Sequence, residues 1–240
     1  MNTLITIPHF STLIPQEFKH EFNLEPEHMN LHLDYGTEKI FDLPNFKVLK
    51  ATASRFLVDL NRPRDDLSEG QGVIITETWD GEPVLKHKLT PEMIENRLTK
   101  HYDPFYQKLD EHLTNIEKPL LVLDGHSMDS KGSLVSGDSG EERPEIDLAT
   151  GKGTCSDEIV EIFEQEFQKH GFQTLRNKPY SGERGHLIHY CVETPGVQAL
   201  ELEVNKKVYM NEKTFEFKNE NVNLLRLTIS SILKEIGGLG

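Results

Sequence analysis

Imidazole, guanidinium and carboxylate groups stand where four short apolar runs of the chain stop: LITIPH from Leu4 to His9, RFLVDLNR from Arg55 to Arg62, LLVLDGHS from Leu120 to Ser127, and ALELEVN from Ala199 to Asn205. These are the groups with which proteins hold metal ions, clamp anions and move protons. An apolar run of about four to six residues reads as a buried strand, and in an open α/β sheet ligands bind in the crevice beyond the carboxyl ends of such strands. His9, Arg55, Arg62, His126 and Glu203 are therefore expected on one rim.

The elements that must position them alternate along the chain. Leu4 to Ile7 reads as a strand that Pro8 stops just before His9. A polar, His-rich stretch from Phe10 to Tyr35 follows, in which Pro15 opens a predicted short helix with Phe18 and Phe22 on one face. Lys47 to Ala51, Arg55 to Leu60 and Val73 to Thr78 read as strands, the last turning through DGEPV into Leu85 to Leu89 as a hairpin. Thr90-Pro91 supplies an N-cap and a first-turn proline, after which Ile94, Leu98, Tyr102, Phe105, Leu109 and Leu113 recur at helical spacing, with a kink expected at Pro104. Past the strand Leu120 to Leu123, the run Asp129 to Glu142 is dense in Ser, Gly, Asp and Glu and reads as a mobile loop, placed where a lid beside His126 would serve. Ser156, Asp157 and Glu158 open a helix with the stripe Ile159, Ile162, Phe163 and Phe167, ended by Gly171. Leu187 to Val192 and Ala199 to Val204 are predicted strands, and an amphipathic helix from about Val222 to Ile236 closes the chain. With no internal repeat or linker, the pattern predicts one three-layer α/β/α domain over residues 1–240.

A chain of 240 residues, 36% hydrophobic and 28% charged, can bury a full core and is too apolar for a disordered protein. Its 40 acidic and 26 basic side chains give a net charge of -14, which repels a phosphate backbone and argues against nucleic acid or an anionic membrane as partner. An anionic small substrate then needs a local basic pocket. The start MNTLITIPHF lacks the pattern of a signal peptide, and no run approaches membrane-spanning length. Cys155 and Cys191 are too few for a disulfide framework and have no CxxC spacing, so a cytoplasmic setting is expected and neither receives a role. Oligomeric state is left open.

The strings PHFSTLIP, LDYGTEKIF, SRFLVDLNRP, YDPFYQKL, LDGHSM, RPEIDLAT, NKPYSGERGH and ALELEVNKKVYMNE occur in the order found in the N-formylglutamate amidohydrolase family, which the chain resembles from about Ile5 to Glu212. The resemblance implies a fold like that of the zinc carboxypeptidases and aspartoacylases, with a central mixed sheet. It also implies a hydrolase with one Zn2+ per chain that cleaves the formyl amide of an acidic amino acid to formate and the free amine. Zinc hydrolases take three protein ligands, mostly His and carboxylate, and keep a fourth position open to water. His9 and His126, each following a predicted strand, suit two ligand positions. A Glu three residues after the first His, as in carboxypeptidases, is absent because Thr12 stands there. The resemblance instead matches Asp34 in LDYGT to the third ligand, with Glu17 and His32 as rivals.

Asp124, two residues before His126, shares its strand face and suits a hydrogen bond to the ring nitrogen turned away from a metal, or a backbone cap at the strand end. Alternation puts Glu201 and Glu203 on one face of their strand, opposite the leucines. The family string makes Glu203 the general base; Glu201 is left unassigned. The resemblance assigns Asn61 and Arg62 to the substrate carboxylate and Arg55 to the developing oxyanion. Arg143 in RPEIDL and Arg184 in YSGERGH are candidates for a second carboxylate, with Gly182 and Gly185 letting backbone approach a ligand. Tyr106 stands where the family string has His, which bears on substrate choice. Other readings of these residues are a carboxypeptidase or another N-acyl amino-acid deacylase, and, in a different class, a binding protein that kept the fold without the metal. A serine or cysteine hydrolase is disfavoured, since Ser127 and Cys155 lack an elbow or partner string; Ser127 reads as support for His126.

Overall fold

Six strands form one sheet in the order β2-β1-β3-β6-β4-β5 in a computed structural model that describes residues 1–133 and 136–238. They are β1 (Asn2–Ile7), β2 (Lys47–Lys50), β3 (Leu120–Met128), β4 (Ile146–Ala149), β5 (Thr174–Arg176) and β6 (Val197–Asn205). All neighbours run parallel except β4 against β6, so the sheet is mixed, as the sequence resemblance implies. The chain passes outward from β1 to β2 and then returns across β1 to β3. The strand order thus reverses between β1 and β3, the place in an α/β sheet where a crevice opens beyond the strand ends.

Eight helices flank the sheet among the described residues: α1 (Pro26–Leu31), α2 (Thr37–Phe41), α3 (Pro91–Arg97), α4 (Asp103–Asn115), α5 (Asp157–Lys169), α6 (His186–Val192), α7 (Lys206–Tyr209) and α8 (Asn219–Gly237). The two-residue period of a strand divides their loyalties. Ile5, Ile7, Leu121, Leu123, Leu200 and Leu202 face a core with Phe41 of α2, Phe163 of α5 and Ile229 of α8. Leu4, Leu120, Val122 and Ala199 face the other core, with Leu109 of α4 and Leu187 of α6. Gly125 is required for this packing, because a Cβ there would lie 2.6 Å from the Phe41 ring. Toward the carboxyl ends of β3 and β6 the second face turns polar, with Asp124, His126, Glu201 and Glu203 all buried.

A third apolar cluster, with Phe18, Phe22, Leu33, Phe56, Leu57, Ile75 and Val84, lies under the irregular segments that precede α3. Arg97 is fully buried beside it, ion-paired to Glu21, with its guanidinium 5.2 Å from the Phe22 ring centroid and donating to the Leu57 carbonyl at 3.3 Å.

Several expected elements take other forms. Arg55 to Leu60 is a succession of turns rather than a strand. Polar side chains satisfy backbone locally, competing with a ladder: the Ser54 hydroxyl accepts from the Phe56 amide at 3.3 Å, and Asp59 accepts from the Asn61 amide at 2.8 Å, while the Leu57 amide donates to the Ser54 carbonyl as in a turn. Leu187 to Val192 is helix α6, whose buried Leu187, Ile188 and Cys191 fit a helical stripe that a short apolar window could not tell from a strand. The helix expected after Pro15 shrinks to a turn and a 3-10 turn at Lys19–Glu21, although Phe18 and Phe22 are buried together. The Val73 to Leu89 hairpin keeps its DGEPV turn, with Thr78 donating to the Glu82 carbonyl at 2.8 Å, but pairs only through isolated bridges such as Glu77 with Pro83. The kink expected at Pro104 is displaced to a π-helical turn at Leu98–Tyr102, so that Pro104 sits in the first turn of α4, where no amide is needed. Strands β4 and β5 and helices α1, α2 and α7 had no counterpart in the sequence reading. In the loop expected over 129–142, residues 134 and 135 lie outside the described residues; the remainder folds back through bridges Lys131–Glu142 and Gly132–Ser139.

Candidate active site

The turn of order between β1 and β3 brings His9 and His126 together, their ring centroids 4.9 Å apart. Asp34 joins them from the loop before α2, its amide donating to the His9 carbonyl at 3.2 Å. Its Oδ2 lies 2.9 Å from Nδ1 of His126 and 3.5 Å from Nδ1 of His9. All three residues are buried, and one ligand atom from each falls within 4.8 Å of the others. Both rings aim Nδ1 at the same carboxylate, and both have Nε2 held by another. Asp124 Oδ2 lies 2.9 Å from Nε2 of His126, while Thr6 on the adjacent strand donates to its Oδ1 at 2.6 Å. Asp59 Oδ1 lies 2.7 Å from Nε2 of His9. A ring nitrogen fixed by a carboxylate leaves the other nitrogen oriented and more basic, the usual arrangement of metal-binding histidines.

Asp59 also organises the turn that carries the basic groups. Its Oδ2 receives the Arg55 guanidinium at 2.6 Å, and its Oδ1 accepts the amide of Asn61. Arg55 is buried, with Trp79 near its guanidinium at 5.8 Å, and its Nε has no partner among the described residues. Asn61 is engaged at both ends: Nδ2 donates to Glu201 at 2.9 Å, and Oδ1 accepts the Leu187 amide at the start of α6 at 2.8 Å. The Arg62 fork donates to the carbonyls of Gln71, Asn61 and Arg184.

From β6, Glu201 and Glu203 project onto this face, Glu203 in register with His126 on one side and with Asp147 of β4 on the other. Oε2 of Glu203 is buried and has no hydrogen-bond partner among the described residues. Burial pushes its pKa well up, aided by Asp34 and Glu201, despite the opposing pull of His126. Burial likewise pushes Asp147 up to about 7, although the amides of Lys178 and Tyr180 both donate to its carboxylate. Burial would raise Asp34 too, but hydrogen bonds from His126 and His9 carry it far below the usual range. The reverse holds for His126: burial would lower it, and Asp124 and Asp34 raise it well above the usual imidazole value.

His9, Asp34, Arg55, Asn61, His126, Glu201 and Glu203 line one cavity of about 690 Å³, together with Arg62, Trp79, Arg143, Tyr180, Arg184 and Lys206. Every residue singled out for metal, catalysis or recognition lines it: His9, Asp34, Arg55, Asn61, Arg62, His126, Arg143, Arg184 and Glu203. Of the rivals to Asp34, His32 lines the cavity but stacks on His28, and Glu17 is exposed near Lys100. Arg143 is buried and held bidentately by Asp138 at 2.7 and 3.0 Å, whereas Arg184 is exposed. Gly185 permits close approach to one of the chain's own groups: a Cβ there would stand 2.1 Å from the Glu201 carboxylate.

The sequence model of the N-formylglutamate amidohydrolase family matches residues 1–210, which include all of these side chains. The chain belongs to that family. An N-formylglutamate deformylase of Pseudomonas putida is 27% identical over 203 residues, 79% of this chain and 74% of the relative. One of Pseudomonas aeruginosa is 25% identical over 220 residues, 85% of this chain and 80% of the relative. Among solved structures, an N-formylglutamate amidohydrolase from Ralstonia eutropha shares the fold with a TM-score of 0.84 at 24% identity, covering 100% of this chain and 93% of that one. A gene product from Agrobacterium tumefaciens does so with a TM-score of 0.74 at 17% identity, covering 98% and 92%.

Against the family string, Tyr106 does not line the cavity. Its ring stacks on Tyr102, centroids 4.4 Å apart, and its hydroxyl donates to the Leu60 carbonyl at 2.8 Å while that of Tyr102 donates to the Arg62 carbonyl at 2.9 Å. The pair holds the basic turn from behind. Asp59, Trp79, Tyr180 and Lys206 are site residues that sequence reasoning passed over. Asp59 meets His9 across 50 positions, and no local pattern encodes that.

Proposed function

We propose that the chain is a metal-dependent amidohydrolase that removes the formyl group of N-formyl-glutamate, releasing formate and glutamate. The observation that carries it is the convergence, in one cavity, of two Nδ1 atoms and a carboxylate with an unpartnered Glu203 oxygen and a buried guanidinium. The donor set fits one zinc-type ion per chain: His9, Asp34 and His126 would hold it, with Asp59 and Asp124 fixing the rings from the far nitrogens. Such an ion lowers the pKa of water from about 16 to about 7 and polarises a carbonyl. The zinc-carboxypeptidase kinship implied by the sequence calls on the same chemistry.

The chain's own groups supply the rest. Glu203 accepts a proton from the attacking water through its free oxygen and returns it to the nitrogen as the C–N bond breaks, so that the amine leaves neutral. Arg55, kept charged because Asp59 and Asp34 outweigh the cost of its burial, holds the charge that develops on the carbonyl oxygen. Asn61 and Arg62 line the cavity together with Arg184, and there they receive the α-carboxylate.

The test is metal analysis of the purified protein followed by formate release from N-formyl and N-acetyl amino acids. One equivalent of zinc and preferred turnover of N-formyl-glutamate are expected. His126→Ala should lose both metal and turnover while remaining folded. Faster turnover of an N-acetyl acid would make the chain a deacylase of another class, and a folded protein with no metal and no turnover would make it a binding protein.

A further inference from the structure

Behind the turn that carries Asn61 and Arg62 lies a second cavity, of about 800 Å³, lined from α4 and α6. Its floor is Tyr102 and Tyr106, both buried, with ring centroids 4.4 Å apart. Tyr190 of α6 meets the Tyr106 ring edge-on at 4.9 Å, and His186 lies 5.8 Å from Tyr106 and 5.9 Å from Tyr190. His186 and Tyr190 are half-buried and form an aromatic wall. The other wall is one face of α4, on which Asp103, Gln107, Asp110, Glu111 and Thr114 recur at spacings of three and four. Asp110 accepts the Tyr190 hydroxyl at 2.7 Å and so joins the two walls. Arg64 also lines the cavity, but Asp103 and Glu95 each hold its guanidinium at 2.7 Å. Asp65, Asp110 and Glu111 are exposed and enter no ion pair among the described residues. Burial pushes the His186 pKa down, so that ring adds no charge of its own near neutral pH.

We propose that this second cavity binds a small organic ammonium ion, with its apolar body on Tyr190 and His186 and its charge toward Asp110 and Glu111, and that its occupancy acts on the substrate cavity through the turn between them. Aromatic faces attract a cation, the free carboxylates on the α4 wall add to that attraction, and a net charge of -14 gathers cations from solution. Tyr106 stands where the family string has His, so the floor carries a phenol that the string does not supply. The path to the substrate cavity is short. Tyr106 and Tyr102 donate to the carbonyls of Leu60 and Arg62, and His186 directly precedes Leu187, whose amide donates to Asn61 at 2.8 Å. A ligand lying between α4 and α6 touches both holds on the turn at once. It steadies Asn61 and Arg62, and by linkage a bound substrate tightens the ammonium ion in return. The site itself stands without the amidohydrolase reading, and only its effect on the substrate cavity rests on that reading.

Calorimetric titration of the purified protein with 2-phenylethylammonium, and with the uncharged 2-phenylethanol, tests the site. Saturable binding of the cation alone is expected. Tyr190→Leu, which removes the ring and keeps an apolar side chain, should weaken it roughly three- to thirtyfold. The double variant Asp110→Asn, Glu111→Gln changes only exposed groups of one helix and should weaken it severalfold, by a margin that shrinks as salt is raised. No saturable binding, equal binding of the alcohol, or unchanged affinity in both variants would overturn the site. The sole tryptophan, Trp79, lines the substrate cavity and reports the second half of the proposal. Titration of its fluorescence with glutamate should show severalfold tighter binding when the ammonium ion is present, and no such gain in Tyr190→Leu. Cation binding that leaves the glutamate titration unchanged would overturn the link between the cavities. Absence of formate release from N-formyl-glutamate, with both titrations as expected, would sink the amidohydrolase reading and leave the ammonium site in place.

Discussion

The cavity has two halves, built in opposite ways. On one side, Asp124, His126, Glu201 and Glu203 stand on β3 and β6, adjacent strands whose ladder sets His126 against Glu203. On the other, Arg55, Asp59, Asn61 and Arg62 stand on turns with no ladder, and side chains hold them: Tyr106 on the Leu60 carbonyl, Tyr102 on that of Arg62, Arg97 on that of Leu57, and Asn61 on the start of α6. A strand fixes its side chains through backbone pairing, so changing one leaves its neighbours in place. A turn held by side chains transmits a change made outside the cavity into it. The first half should therefore fail through chemistry, and the second through geometry.

The largest effect tests the strand half. Glu203→Gln keeps the shape and removes the proton acceptor, so kcat should fall roughly 10²- to 10⁴-fold with metal content intact. Stability near neutral pH should hold or rise. An acid whose folded pKa is raised makes the protein lose stability as pH climbs from the unfolded value toward the folded one, and the amide abolishes that loss. Near-normal turnover would remove Glu203 from the proton path, and lost metal would show that the strand half is not independent.

Asp59→Asn comes next and probes the turn half at its centre. One oxygen serves His9 and the Asn61 amide, the other Arg55, so the amide cannot satisfy all three. Zinc affinity should drop about 10- to 100-fold through the misoriented ring. Competition with a chromophoric chelator measures it; an unchanged affinity would detach Asp59 from the metal and leave it a partner of Arg55 alone.

The two halves were also unequally legible. Alternation in LDGHS and LELEVN places Asp124 with His126 and Glu201 with Glu203, and the structure keeps both pairs. RFLVDLNR carries the same kind of apolar pattern, but the Ser54 hydroxyl and the Asp59 carboxylate accept from the nearby Phe56 and Asn61 amides, and the run is loop. Arg55 and Asp59 meet there as an ion pair four positions apart. Asp34 was reachable only through family resemblance, since nothing local ties LDYG to His126 at a distance of 92 positions. Lys206 has no reading of its own in the sequence, and it is buried in the structure where α7 starts directly after β6.

The smallest effect separates tether from contact at Tyr106. Its hydroxyl donates to the Leu60 carbonyl, one residue before Asn61, while its ring packs on Tyr102 and lies 4.9 Å from that of Tyr190. Tyr106→Phe keeps the packing and deletes one neutral hydrogen bond, which should cost about 1 kcal/mol in denaturant unfolding. The turn that carries Asn61 and Arg62 then loses one of several restraints, so kcat/KM should fall only severalfold, and by the same factor for N-formyl-glutamate and N-formyl-glutamine. Tyr102→Phe, which frees the Arg62 carbonyl, should behave alike, and the double variant should lose more than either alone because both hydroxyls hold one turn. A drop of a hundredfold or more in Tyr106→Phe, or a change in substrate preference, would mean that the hydroxyl reaches the ligand, and the turn half would then have to be redrawn with Tyr106 inside it.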